Sequence, residues 1–359
     1  MNSQPILAHE QGQWCVFPDL KEMSQYTGPY KARNFEIFRD LLNRNGMGQM
    51  AEKFLEASGK LQTLCYKYEI ERNLRTPDYS GFQLLALNDY SGQGTATEGV
   101  LNVFWREKGY VTAEEWRQFC SEVVPLARFK KFVYSDSDTL NVAMEIMNAS
   151  SGEISNAEMR YTITDENTGK VYAESCFTIP VVPVGKNNKF GSVVLPRSGF
   201  VRPGHRPLRA SVAGRAHNSW QFWVYPDEKA ATPAHDIYVT SVLDDEAVQR
   251  LRDGGKVLLT AAGKVTLGND VVQHYLPVFW NTSWFKMRPP HTTGAYIDTD
   301  HPLFGYGFPS DNWSNLNWWE LLDRAQVMNL TELPAEYQPV IQPIDTWHVS
   351  RKLGMLIEA

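Results

Sequence analysis

Between residues 47 and 74 the apolar side chains of Met47, Met50, Phe54, Ala57, Leu61, Leu64 and Tyr68 recur every three or four positions. That period predicts a long amphipathic helix, with Gly59 as its weak point. The turn TPDYSG, residues 76–81, ends the helix. FQLLAL, residues 82–87, follows as a nearly continuous apolar run, the pattern of a parallel strand buried on both faces. A shorter apolar segment from Pro5 precedes the helix and delivers His9 and Glu10 into a Gly/Trp-rich loop. Strand, helix, strand and then the polar loop NDYSGQGT predict an α/β first block.

After KGYVT, Thr112 and Glu115 have the spacing of a capping box, which predicts a short helix reaching Phe119 or Cys120. The pattern then changes to alternation. Leu140, Val142, Met144 and Ile146 share one face of a strand, and Met159, Tyr161 and Ile163 one face of another. Further strand-like runs cover 171–177, 191–195, 208–212 and 220–225, separated by turn clusters such as NASSG and DENTG. Roughly seven short strands in about a hundred residues predict an immunoglobulin-like sandwich. The linker PDEKAATPA leads into DIYVTSVLDDEAVQRLRDGGKVLLT, a strand, helix and strand in close succession. Asp244 and Asp245 stand at the helix start, and Gly254 and Gly255 stop it. This βαβ signal predicts a third, α/β block. Its final run, KLGMLIEA, reads as a strand just begun, so the block reads as truncated.

Composition narrows the function classes. The 359 residues are 43% apolar, enough for two or three domains. A net charge of -6 with scattered lysines and arginines gives no basic stripe, which disfavours nucleic acid and anionic membranes as partners. No apolar run approaches eighteen residues, so membrane insertion is not expected. MNSQPILAHEQ lacks the charged and apolar regions of a signal peptide. The compartment stays open, and a periplasmic or secreted full-length protein is compatible with it. Cys15, Cys65, Cys120 and Cys176 lie far apart with no metal or redox spacing, and are expected as buried thiols. No HExxH pair and no glycine-rich phosphate loop occur, so neither metal nor cofactor is expected. Eleven tryptophans and sixteen tyrosines suit sugar-stacking surfaces, and equally β-rich cores.

Glu10 is the candidate for chemistry, because barrel enzymes present catalytic carboxylates from the C-terminal ends of strands. Four runs, PILAHEQGQWCVFPD, RTPDYSGFQLLALNDYSGQGTATEGVLNVFW, KGYVTAEEWRQFCSEVVPL and HPLFGYGFPSDNWSNLNWWELL, resemble the C-terminal half of glycoside hydrolase family 2 enzymes, the β-galactosidase and β-glucuronidase group. The resemblance implies the end portion of a TIM (β/α)8 barrel with its last two strands in residues 1–127. It further implies an immunoglobulin-like sandwich in 128–226 and a C-terminal α/β domain in 235–359. It implies Glu10 as nucleophile, and Asp89 and Gln93 as ligands of sugar hydroxyls. His9 and Trp14 flank Glu10 and would line the sugar subsite, although a structural hydrogen bond or core packing would explain them equally.

A retaining glycosidase needs a second carboxyl group about 5–5.5 Å from the first. In the family that acid/base lies well upstream of the nucleophile, so its counterpart is missing from this sequence. Glu69 and Glu71 fall at the end of the amphipathic helix and read as solvated charges, while Glu98 remains a candidate for a local role. The leading expectation is therefore part of a retaining β-glycosidase, β-galactosidase-like and inactive as this isolated chain. A homo-oligomer formed through the open barrel edge is compatible with that. The alternative is a non-catalytic carbohydrate-binding or structural module. A glutamine-amidotransferase-like enzyme in the last block, whose opening βαβ resembles that fold, is rejected because no cysteine follows Cys176.

Overall fold

The computed structural model describes residues 4–90, 96–195, 203–227, 236–280 and 292–358. Among them the chain is a mixed α/β structure dominated by sheet, with several small sheets and no closed barrel. Strand β1 (Ile6–Gln11) is followed by helix α1 (Arg33–Arg44), the long helix α2 (Ala51–Arg75) and strand β2 (Tyr79–Leu84). β1 and β2 pair in parallel, with Ala8 opposite Phe82 and Gln11 opposite Leu84, so the helices form a crossover between neighbouring strands.

The helix forms where the apolar period predicts it, yet its two ends differ. Phe54, Ala57 and Leu61 are buried, whereas Leu64 is half-buried and Tyr68 is 43% exposed. Gly59 is less a weak point than a contact: a Cβ there would come within 2.3 Å of the Tyr110 ring, which packs directly on the helix backbone. The strand after the helix starts three residues earlier than its apolar run and is not buried on both faces, since Tyr79 and Ser80 are exposed. With β1 as its sole strand partner among the described residues, β2 lacks the second neighbour that would cover it.

Helix α3 (Ala113–Arg117) begins on the expected capping box, with Thr112 accepting from Glu115 N and Glu115 accepting from Thr112 N at 2.8 Å. The alternating region then forms β3 (Val123–Arg128), β4 (Val133–Ser135), β5 (Leu140–Asn148), β6 (Ile154–Thr164), β7 (Val171–Val182), β8 (Gly185–Leu195), β9 (Gly204–Val212) and β10 (Ala216–Tyr225). They build a five-stranded sheet, β4-β10-β9-β6-β7, and a three-stranded sheet, β3-β5-β8. Both sheets contribute to one core, in which Val142, Met144 and Ile146 of β5 join Met159 and Ile163 of β6, Leu208 of β9 and Phe222 of β10. Strict alternation keeps these residues on inner faces.

Beyond it, β11 (Ile237–Thr240), helix α4 (Asp245–Arg252) and β12 (Lys256–Leu259) form the expected βαβ unit, with the strands parallel and Asp244 capping the helix through Ala247 N. Val239, Leu258 and Leu259 remain exposed, because this two-stranded sheet has no layer over its other face among the described residues. The remaining short strands, β13 (Ala295–Ile297), β14 (Met328–Asn329), β15 (Ile341–Pro343) and β16 (Leu353–Gly354), pair as β13-β15 and β14-β16. Their core is shared with the first block. Leu61 and Cys65 of α2 pack with Ala295, Ile297 and Trp318, and Phe35 and Phe38 of α1 pack with Ile344 and Trp347. Cys120 is half-buried and Cys176 exposed, so only Cys15 and Cys65 are the buried thiols expected of all four.

Candidate active site

Glu10 stands one residue before the end of β1, and its backbone adopts φ 54°, the left-handed region that a residue with a side chain seldom occupies. The pairing with β2 slips between Ala8 and Gln11, which is how the strand accommodates that turn. The Glu10 side chain is 52% exposed. His9, 74% exposed, brings Nε2 to 3.7 Å from Glu10 Oε1, and its Nδ1 lies 2.9 Å from Gln83 Oε1 on β2.

The loop that follows is held from two sides. From α2, Tyr66 Oη donates to Gly12 O at 2.7 Å and Gln62 Nε2 to Trp14 O at 2.7 Å. From the C-terminal segment, Val278 O accepts from Cys15 N at 3.0 Å, and Trp280 Nε1 donates to Gln13 Oε1 at 2.7 Å. Gln13 Nε2 in turn donates to Glu10 O at 2.9 Å. These bonds over-determine the backbone conformation that the Glu10 torsion strains.

Trp14 is half-buried and donates Nε1 to Glu69 Oε1 at 2.8 Å. Glu69 is thus no solvated helix charge. Burial raises its carboxyl pKa, while the Trp14 and Gly12 N–H groups pull it down. Glu71 departs further from the expectation. It is buried, accepts from Trp220 Nε1 at 2.9 Å and Asn218 Nδ2 at 2.9 Å, and pairs with Lys67 at 2.6 Å. Its place is the seam between α2 and β10, where a lone charge would be costly and two cations offset it.

Asp89 follows β2 but turns inward. It is buried and pairs with the fully buried ammonium of Lys108 at 2.7 Å, while Gly99 N donates to the same oxygen at 2.9 Å. Burial pushes its carboxyl up to about 6 against the pull of Lys108. Two further buried acids share its surroundings. Glu22 and Glu98 are both pushed up to about 7, first by burial and also by the charge of Asp89, and one oxygen of each has no hydrogen-bond partner. Gln93 lies outside the described residues. The structure therefore brings His9, Glu10 and the Trp14 loop together at the strand end, and builds Asp89 into an acidic layer beneath the loop. Among the described residues no group of three or more His, Cys, Asp or Glu side chains could hold a metal ion.

Sequence reasoning missed Gln62, Tyr66, Lys108 and Glu22. Ser58, Gln62 and Tyr66 stand four apart on one buried face of α2, and Gln62 also reaches Glu98 O at 2.8 Å. A buried polar stripe at helical spacing was the available signal.

A family model described as "Domain of unknown function (DUF8488)" matches residues 138–226, and one described as "Domain of unknown function (DUF8487)" matches residues 238–359. No curated protein matches the chain. Among solved structures, an Amycolatopsis orientalis exo-chitosanase is similar at 12% identity and TM-score 0.30 over 49% of this chain and 19% of its own. A Parabacteroides merdae β-glucuronidase matches at 13% identity and TM-score 0.23 over 29% of this chain and 14% of its own. A Pseudomonas fluorescens alkylpurine DNA glycosylase bound to DNA matches at 15% identity and TM-score 0.23 over 29% of this chain and 30% of its own. The chain spans less than a third of each of these structures, and likenesses this weak carry no argument about chemistry. Among the described residues no helix is long and apolar enough to cross a membrane.

Proposed function

We propose that this chain supplies the nucleophile of a retaining β-glycosidase of the glycoside hydrolase family 2 type. In this reading β1 and β2 are the last strands of a TIM barrel within residues 1–127, residues 128–226 are an immunoglobulin-like sandwich and residues 235–359 an α/β domain. The observation that supports it is the Glu10 carboxylate, offered to solvent from the C-terminal end of a parallel strand by a backbone in the left-handed region and a loop anchored from two sides. Such a carboxylate attacks an anomeric carbon through an oxocarbenium-like transition state to form a glycosyl ester, which water then hydrolyses. His9 and the Trp14 loop would line the sugar subsite. The substrate in this reading is a β-glycoside, β-galactosides first. In this reading the acid/base comes from earlier strands of the barrel, and the two-stranded β1-β2 sheet of the described residues offers an edge through which two copies of the chain pair.

The test is turnover of a panel of chromogenic β-galactosides, β-glucuronides, β-glucosides and β-mannosides. The chain alone is expected to be inactive. Complemented by a polypeptide carrying the earlier barrel strands, it is expected to turn over one of them, with Glu10→Gln lowering the rate by several orders of magnitude. Azide rescue of Glu10→Gly would support the role. Near-normal turnover by the complemented Gln variant would remove Glu10 from the mechanism.

A further inference from the structure

Away from the Glu10 loop, α2 forms one wall of a cleft of about 490 Å³. Leu64, Tyr68 and Arg72 stand four residues apart along that wall, β10 contributes Gln221, and the segment 311–316 contributes Trp313. None of residues 9–14 lines it. The volume lies within the range of about 300–1,000 Å³ typical of small-molecule sites, which gather where structural units meet.

Several groups in this cleft have capacity that the fold leaves unused. Arg72 is exposed, and its guanidinium makes no hydrogen bond and has no carboxylate within 4.0 Å among the described residues; Glu69, three residues back, accepts from Trp14 instead. Tyr68 is exposed and its hydroxyl is unbonded among the described residues. Gln221 lines the cleft from β10, with its side-chain oxygen buried away from solvent. Trp313 adds a second half-buried aromatic ring.

We propose that this cleft binds an acidic saccharide, in which a pyranose unit bears a carboxylate. The planar fork of Arg72 matches a carboxylate in two parallel hydrogen bonds. Tyr68 and Trp313 offer flat apolar faces to the C–H side of the ring. The unbonded Tyr68 hydroxyl is open to a sugar hydroxyl. A neutral sugar would leave Arg72 unused. Of the other cations in the lining, Lys67 and Arg75 face Glu71, Arg128 faces Glu145 and Lys60 stands 4.0 Å from Glu115, so among the described residues Arg72 alone in the lining lacks a carboxylate within 4.0 Å, and a single negative charge is its complement. The site is independent of the role assigned to Glu10.

Titration calorimetry of the intact chain with trigalacturonic acid, its methyl ester and a hyaluronan hexasaccharide tests this at low salt. At least one of the two acids is expected to bind, and the methyl ester at least about tenfold more weakly than trigalacturonic acid if that acid is the one bound. Arg72→Gln should weaken binding of the acid about tenfold and remove the advantage over the ester, and Tyr68→Ala should weaken acid and ester alike. Both side chains are exposed, so the variants should fold, as circular dichroism would verify. Glu10→Gln should change nothing. Binding of neither acid, equal binding of acid and ester, or loss on Glu10→Gln but not on Arg72→Gln would overturn the proposal.

Discussion

Tyr66 occupies the space that any side chain at position 12 would need: a Cβ on Gly12 would lie 1.9 Å from Tyr66 Cε1, while the Tyr66 hydroxyl donates to Gly12 O at 2.7 Å. With φ 78°, Gly12 also holds a backbone conformation that L side chains rarely adopt. Gly12→Ala should therefore destabilise by about 3 kcal/mol or more, through overlap and strain together. Tyr66→Phe, which leaves the buried carbonyl of Gly12 without its donor while Glu98 O keeps the Gln62 amide, should cost about 1–3 kcal/mol. Urea denaturation of the double variant Gly12→Ala, Tyr66→Ala checks the cause. Overlap predicts a total well below the sum of the single costs, and strict additivity would refute it.

The Glu10 torsion carries a second prediction. A residue with a Cβ in the left-handed region is strained by roughly 1–2 kcal/mol, and glycine escapes that strain while losing more chain entropy on folding. Glu10→Gly should thus stabilise the chain by about 0.5–1 kcal/mol, and Glu10→Gln should be neutral. A carboxylate kept at a position where glycine would fold better is what a functional constraint looks like. Denaturation midpoints decide it, and a destabilised Gly variant would mean that the side chain supports the fold.

The elements were legible wherever one face is buried against something in the same stretch of chain. The Val142, Met144 and Ile146 alternation became the inner face of β5, and the Thr112–Glu115 box became a helix cap, because both depend on near neighbours in sequence. Leu64 and Tyr68 continued the α2 period yet line a cleft, because what covers each turn of that helix is distant in sequence: Tyr110 against Gly59, Phe119 with Ile70, and Ala295 and Trp318 with Leu61. Glu71 was misjudged for the same reason: its partners Asn218 and Trp220 lie on β10. At the candidate site, sequence located Glu10 at a strand end but could not foresee that Lys108 would draw Asp89 inward, nor that α2 would fasten the loop through Gln62 and Tyr66.

The acidic layer beneath the loop makes stability depend on pH. Glu22 and Glu98 rise from 4.5 to about 7 on folding, mainly through burial, and Asp89 rises from 3.8 to about 6. Each therefore binds its proton more tightly in the folded chain. Their stabilisation is fully present below the unfolded values and is lost as the pH climbs from about 4 to about 7, by on the order of a few kcal/mol in all. His348, held down to about 4 by burial, acts oppositely over an overlapping range. The clean measurement is a comparison with the double variant Glu22→Gln, Glu98→Gln. Relative to it, the wild type should lose stability in urea between pH 5 and pH 8. Parallel profiles for the two proteins would show that these carboxyls titrate normally.

Glu71 joins the first block to the sandwich, and breaking that seam should separate the two energetically. In the intact chain its carboxylate is buried among Lys67, Arg75, Asn218 and the Trp220 indole. Glu71→Ala removes the buried negative charge shared by Lys67 and Arg75 and leaves the Trp220 indole without its acceptor, which should cost about 3–5 kcal/mol. The sandwich itself keeps its shared core of β5, β6, β9 and β10 residues, none of which needs α2 as a packing partner within that cluster. A segment of residues 128–226 expressed alone is therefore expected to unfold cooperatively, since Asn218 and Trp220 would then face water rather than an empty buried socket. It gives up β3, which pairs with β5 from Val123 to Arg128, so its stability should be lower than that of a segment beginning at residue 122. Urea melts followed by tryptophan fluorescence, with amide exchange on both segments, measure this. A noncooperative melt with weak amide protection in both would mean that the sandwich depends on the Glu71 seam and is not a folding unit of its own.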